Sequence, residues 1–568
     1  MNTHKIALSL IVITAAPWSW AGVRVRPASD VTGEHIDWIN KVADWQLTQS
    51  TWNSGRNWEH GALFAGMMAA YEATKDETYL DKTRQWAQQY NWRMGSDSRH
   101  ADNHACGQAF LELYLLDAQD SVRYAHSKSV NDTMVNDPRH FYCNVSSGST
   151  VWWWCDALFM HPTVHVRLSR VLNDPSYINL MHMMWEETQE CLYDTEERLF
   201  YRDITYFNSR IGGQKVFWAR GNGWVAAGLP RVLRYLPLND PLRPRYETLL
   251  QQMASRLVEI QQPDGYWYAN LLYPQQFNVP ETSGTGFFCY MLAWGINNGY
   301  LDAATYWPAT EKAWEALKGA VHPNGKLGWV QPVGAGPAMS YWDSTQVYGV
   351  GAYLLAGSEV QKTLQTQSAS FIDYFEGYTS DAALKAVWND GVENGSTAQI
   401  GLGNYGDRFM TFDYTNAFPD TAWTERQFAA PRTFAVEAFR TLSVQIRGQA
   451  DNAAGRFYVR LEDADGAAAI QRVEDTGFVR QGIWQEAEFD FSTFPGVDLN
   501  RVVKIRLGVD AASGPGSLRI DAIRLNPIRC ETMLADFDSD CRIDVADLAL
   551  LASHWLECGL YPAESCGD

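Results

Sequence analysis

Apolar residues recur with helical spacing from about Trp38 to Val360, and one design returns six times along that stretch. Each unit opens on polar or aromatic residues, often with a glycine, and continues into an apolar run. The openings are Asn57-Trp58-Glu59-His60-Gly61, Ala101-Asp102-Asn103-His104, Trp152-Trp153-Trp154-Cys155-Asp156 and residues 218–224, 281–286 and 343–349. Counted from Gly61, Gly107, Ala157, Gly223, Gly286 and Gly349, the steps are 46, 50, 66, 63 and 63 residues, each long enough for two helices and a connection. Runs such as 287–294 and 347–355 are apolar nearly all round, as helices enclosed on every side must be. Six helical hairpins predict a toroid of six inner helices ringed by six outer ones, with the inner N-terminal ends meeting at one mouth. An irregular α-solenoid, its glycines merely permitting close packing, is the competing arrangement.

After Ser358 the period changes to two. Alternation marks strands at 442–446, 457–461, 487–491, 503–507 and 518–520, separated by Gly, Asp and Asn turns. This predicts an all-β, jelly-roll-like sandwich. Within it Trp388, Trp423 and Trp484 serve either the core or a carbohydrate-binding face, and Asp373, Glu376 and Asp521 are candidates for a structural calcium. At 568 residues the chain is multidomain. The expected divisions are a signal peptide at 1–21, the helical domain at 22–365, the sandwich at 366–529 and a small module at 530–568.

The signal peptide rests on Lys5, the apolar run 6–16 and the small-x-small site Ser19-Trp20-Ala21, which predict a secreted, periplasmic or cell-surface protein. No run reaches membrane-spanning length. A net charge of −20 argues against nucleic acid as a partner, while Lys215 and Arg220 leave room for an acidic ligand locally. Five cysteines (106, 143, 155, 191 and 289) precede the sandwich, so pairing among them leaves at least one thiol. Cys530, Cys541, Cys558 and Cys566 crowd the tail, where two disulfides would suit a module too small for its own core. That tail sets Asp536, Asp538, Asp540, Asp544 and Asp547 at positions 1, 3, 5, 9 and 12 of an EF-hand-type loop, with the Arg542 carbonyl at position 7. The spacing predicts Ca2+, although Cys541 stands where such loops usually carry glycine. The module resembles one half of a dockerin, which implies a cohesin-like or other cell-surface partner; dockerins carry two loops and here there is one.

The densest chemistry lies in Phe217-Trp218-Ala219-Arg220-Gly221-Asn222-Gly223-Trp224. A guanidinium grips a carboxylate bidentately, indoles stack on sugar rings, and glycine lets backbone approach a ligand. The alternative is a helix start whose arginine pairs with a core carboxylate. Asp102, flanked by His100 and His104, and Asp156, preceded by three tryptophans, both stand at inner-helix starts. Two carboxylates, one protonated and one ionised, are the minimum kit for acid–base work on sugars, and an apolar setting raises the Asp156 pKa. N-capping is the commoner duty of an aspartate so placed.

The strings at 152–160, 217–224, 281–290 and 347–360 resemble the unsaturated rhamnogalacturonyl hydrolases, glycoside hydrolase family 105, relatives of the unsaturated glucuronyl hydrolases. The likeness covers roughly residues 35–362. It implies an (α/α)6 barrel, no cofactor for catalysis, and oligosaccharide substrates ending in a 4,5-unsaturated uronic acid. It further implies that Asp156 protonates C4 of the enol ether and then serves as base for water at C5, while Asp102 orients the substrate. Arg220 and Trp224 match the substrate-binding pair, with Trp218, Asn222, His104 and Trp154 beside them. Arg202 stands where some members have a histidine, implying a stronger carboxylate grip or a shifted subsite preference; His140 is unassigned. Two other readings compete. One is an inverting glycosidase or lyase on saturated uronate polysaccharide using the same aspartates. The other is a non-catalytic carbohydrate-binding protein, against which both aspartates and Arg220 argue.

Overall fold

The computed structural model describes residues 23–526, apart from 28–33, 96–98, 117–119, 149, 368–370, 376–377, 379, 393–396, 405–407, 417–420, 435–438, 511 and 513. The predicted signal peptide and the calcium loop at Asp536, Asp538, Asp540, Arg542, Asp544 and Asp547 lie outside the described residues.

The helical part runs α1 (Glu34–Thr48), α2 (Trp58–Thr74), α3 (Glu77–Gln89), α4 (Gly107–Leu116), α5 (Val122–Asn136), α6 (Ala157–Met160) and α7 (Pro162–Leu172). It continues with α8 (Ser176–Leu192), α9 (Ala219–Leu233), α10 (Arg243–Ile260), α11 (Thr282–Asn297), α12 (Ala303–Gly319) and α13 (Val347–Gln367). The inner elements α2, α4, α6–α7, α9, α11 and α13 each pack on the next, and α13 packs on α2, closing the ring. Burial follows position. Residues 60–71 of α2 are buried without a break, whereas outer α3 buries Tyr79, Leu80, Thr83, Trp86 and Ala87, a single stripe. At the closure a Cβ on Gly351 would lie 2.2 Å from the Ala62 carbonyl oxygen, so the last inner helix reaches the first only through glycine. The sixth hairpin is completed by α1, which lies outside α13 and α2.

Toward the inner helices' C-terminal ends, Arg167 Nε and Arg231 Nη2 donate to Glu112 Oε1 at 3.0 and 2.9 Å in full burial. Cys143 and Cys191 form a disulfide, and Cys106, Cys155 and Cys289 are buried free thiols.

The β-region is two antiparallel sheets facing one core. One sheet orders Val23–Pro27, Gln485–Asp490, Thr441–Arg447, Gly514–Asn526, Arg408–Asn416 and Thr397–Asn404, with Phe371–Asp373 also beside Gly514–Asn526. The other orders Ala468–Arg472, Arg456–Asp463, Val502–Asp510, Ala422–Arg432 and Trp388–Val392. Every alternating segment singled out in the sequence falls on a strand, residue 491 excepted. The strand Val23–Pro27 corrects the boundary at 22: it pairs with Gln485–Asp490, so the sandwich takes a strand from before the helical domain, which starts at Glu34.

Trp388 is core, its Nε1 donating to Asp373 Oδ2 at 2.8 Å, and Trp484 is 5% exposed against the helical domain. Trp423 lies under the Arg506 guanidinium at 3.9 Å. The proposed calcium ligands are otherwise engaged. Asp373 also accepts from Tyr378 and Arg426, Asp521 pairs with Lys75 at 3.1 Å, and Glu376 is outside the described residues. Lys75 follows α2, Arg519 donates to the Leu116 carbonyl at the end of α4, and Arg447 donates to the Tyr71 hydroxyl. The sandwich therefore docks on the C-terminal ends of inner helices, opposite the mouth. Among the described residues no helix is long and apolar enough to cross a membrane.

Candidate active site

Carboxylates at inner-helix starts divide into those spent on structure and those left for chemistry. Glu281 caps α11, accepting from Ser283 N at 3.0 Å and Gly284 N at 2.7 Å, and takes Gln331 N as well. Asp203 caps the turn Ile204–Tyr206 in the same way. Asp156 occupies the N-cap position of α6 yet makes no side-chain cap bond. Its Oδ1 accepts instead from the Cys155 thiol at 3.4 Å. Asp102 lies in the short turn Ala101–His104, which packs on α6 and so brings the two aspartates to one place.

The electrostatics of this pair are unusual for carboxylates. Burial, then the neighbouring Asp156 and Glu59, push Asp102 up to about 7. Burial also raises Asp156, with Arg202 pulling the other way. Two carboxyls in one field cannot both ionise cheaply, so the pair holds a proton near neutral pH. His100 Nδ1 stands 3.7 Å from Asp102 Oδ2.

Arg202 supplies the cation. Its Nη1 donates to Asp203 at 2.5 Å, its guanidinium lies over Trp153 at 5.0 Å, and its Nε is buried without a protein acceptor. The Cys155 N–H holds the Arg202 carbonyl at 2.9 Å, which ties the bend carrying the arginine to the start of α6. Trp154 lies between Trp153 and His100, in tilted ring contacts at 4.7 and 5.0 Å, beside the pair. Gly221 lets α9 close on it, since a Cβ there would lie 3.3 Å from Cys155 Sγ and 3.6 Å from Asp156 Oδ1.

Asp156, Asp102, Arg202 and Trp154 thus come together; the other sequence-predicted contacts do different work. Arg220 is 1% exposed and donates to the carbonyls of Gln331 and Pro332 at 2.7 and 2.9 Å, while its Nε has no protein acceptor and its charge also acts on Asp156. Trp218 is buried with its Nε1 on Gln331 Oε1. Trp224 is core, 4.4 Å from Phe287 and 4.9 Å from Phe159, with no ring face left for a sugar. Asn222 accepts from Phe200 N and donates to Phe200 O, holding the short strand Leu199–Phe200 just before Arg202. His104 is buried against His161 at 3.6 Å. Burial drives His161 well below the ordinary imidazole range, so it is neutral; Trp152 donates to its Nδ1 and its Nε2 donates to Asn131. His140 pairs with Glu187 at the surface.

Three participants were missed. Glu59 stands in the first of the six repeated openings, a position the repeat itself flags. Cys155 is adjacent to Asp156 in sequence. Gln331 had no signal: it lies in a loop, yet its backbone and side chain join Glu281, Arg220, Tyr348 and Trp218 and so lock the starts of α9, α11 and α13 together. Among the described residues no group of three or more His, Cys, Asp or Glu is arranged to hold a metal ion.

A family model described as Glycosyl Hydrolase Family 88 matches residues 32–364. The unsaturated 3S-rhamnoglycuronyl hydrolase of Formosa agariphila is 38% identical over 335 residues, covering 57% of this chain and 89% of that protein. Among solved structures, a family 88 glycosyl hydrolase from Bacteroides vulgatus is 32% identical with a TM-score of 0.54, covering 58% of this chain and 99% of that one. A chain titled a polysaccharide lyase is 35% identical with a TM-score of 0.55, covering 59% and 98%.

Proposed function

The chain belongs to glycosyl hydrolase family 88, in the 88/105 group its sequence resembles, and from that premise we propose that it removes a terminal 4,5-unsaturated uronic acid from oligosaccharides by hydrating the C4=C5 enol ether. It is a glycoside hydrolase, and its closed ring is read as an (α/α)6 barrel. The observation that carries the reaction is Asp156: a buried carboxyl at a helix start, released from capping and set beside Arg202.

In this reading Asp156 gives its proton to C4, and the π electrons leave positive charge shared between C5 and the ring oxygen. Asp156, now a carboxylate, takes a proton from water as its oxygen bonds to C5. The hemiketal opens, and the linkage to the neighbouring sugar is released. Asp102 orients the substrate and steadies the developing charge. The uronate carboxylate hangs from C5, one bond beyond the carbon that is protonated, so its anchor must stand beside the acid. Arg202 does, and of the two arginines that act on Asp156 it has the larger influence; each keeps an Nε without a protein acceptor, while both terminal nitrogens of Arg220 are held by backbone carbonyls. When a substrate carboxylate neutralises Arg202, the largest of the influences holding the Asp156 pKa down is weakened, which favours the protonated acid as the substrate arrives. The word rhamnoglycuronyl in the name of the Formosa relative makes a rhamnosyl neighbour the first to test. Export and calcium-dependent docking through the tail complete the proposal, supported by residues 1–21 and by the aspartate spacing from Asp536.

The polysaccharide-lyase title of one structural neighbour favours a second reading, elimination from saturated uronate. One assay separates them by sign. Incubated with lyase digests of several uronate polysaccharides, the hydrolase consumes the ultraviolet chromophore of the unsaturated end; a lyase on intact polymer creates it. Asp156→Asn is expected to abolish the loss of chromophore at an unchanged melting temperature, and near-native rates in that variant would sink the assignment.

A further inference from the structure

We propose that Cys155 is a positioning residue for the acid: its thiol, packed behind Asp156, fixes the carboxyl by a deliberately weak hydrogen bond while its backbone fixes the neighbouring arginine. This rests on the hydration reading above. The Sγ–H donates to Asp156 Oδ1 at 3.4 Å, and the Cys155 N–H donates to the Arg202 carbonyl at 2.9 Å. One residue therefore registers acid against anchor. Cys155 is fully buried and reduced, walled by Gly221, whose missing Cβ would sit 3.3 Å from the sulfur. Burial, then Asp156, raise the thiol well above its ordinary value, so it remains a donor throughout the working range.

The choice of sulfur has a chemical reason. An acid that must deliver a proton to carbon has to hold that proton at working pH. A strong donor on Oδ1 stabilises the carboxylate and strips the proton away; no donor leaves the carboxyl free to turn. A thiol orients the group and favours the anion least among protein donors of that size.

Cys155→Ser and Cys155→Ala separate this from simple packing. The titration of Asp156 is followed in the full chain by 13C NMR of labelled aspartate carboxyls, assigned by the signal lost in Asp156→Asn. The expected result is opposite shifts: Asp156 titrates roughly half a unit or more lower in the serine variant and higher in the alanine variant. The alkaline limb of kcat, where the acid loses its proton, moves in the same two directions, with KM within about twofold. Shifts of one sign in both variants, or none, overturn the proposal, because lost packing acts alike in both. The NMR readout needs no substrate. If the wild type leaves every unsaturated oligosaccharide untouched while the opposite shifts persist, it is the hydration reading that fails and the positioning that stands.

Discussion

Replacing Asp102 by asparagine is expected to stabilise the protein at alkaline pH while destroying its activity. Asp102 titrates at about 7 in the folded chain against an ordinary value of 3.8. A carboxyl raised on folding costs no stability below 3.8, costs progressively more as pH climbs, and exacts the full amount above 7. At ~1.36 kcal/mol per unit the whole rise corresponds to roughly 4 kcal/mol. The side chain is 24% exposed and shares its proton with Asp156, which brings the usable figure down to about 2 kcal/mol. Asparagine keeps the volume and never ionises. Scanning calorimetry at pH 8.5 is expected to show the variant melting roughly 3 °C higher, with the two proteins converging as pH falls toward 4. The rate of chromophore loss is expected to drop by about 100-fold or more. A melting difference independent of pH, or a variant less stable at pH 8.5, would refute the idea that burial and the neighbouring carboxylates raise the Asp102 pKa.

The two arginines should part company. Arg202→Gln is expected to raise KM for the unsaturated uronide by roughly 10-fold or more, as loss of a charge-assisted bond of about 1.5–3 kcal/mol implies. Arg220→Gln is expected instead to lower the melting temperature, because the carbonyls of Gln331 and Pro332 lose a buried donor. Equal effects of both on KM would contradict the division. At the docking surface, Lys75→Met removes the cation paired with the nearly buried Asp521 and is expected to cost about 3 kcal/mol of stability, much of it recovered by adding Asp521→Leu. With that contact at the far end of the ring, kcat at temperatures below unfolding is expected to stay within about twofold; a large loss would place the sandwich's influence at the mouth.

How far the chain could be read depended on whether a feature is written locally. The six openings, the all-round apolar helices and the alternating strands are patterns of neighbouring residues, set by the 3.6 and 2.0 residue periods, and they lead to the ring, the sandwich and the two aspartates. Which strand pairs with which is a long-range matter. Val23–Pro27 joins Gln485–Asp490 across more than four hundred residues, a partnership no local window can contain.

The site divides along the same line. The sequence by itself determined that two aspartates and a Trp-rich, arginine-bearing string sit at the N-terminal ends of helices that share one mouth. It could not tell a side chain facing the cavity from one facing the helix beside it. Tertiary packing decided that: Arg220, Trp218 and Trp224 carry the residue types of a sugar pocket but are used to lock Gln331 and to fill the core. Arg202, in a plainer stretch, has the larger electrostatic influence on Asp156. Capping was decided there too, since Glu281 and Asp156 occupy equivalent positions and only the first spends its carboxylate on the backbone. The physical reason is that burial, field and hydrogen-bond satisfaction depend on everything packed around a residue, whereas a sequence pattern records only what lies along the chain.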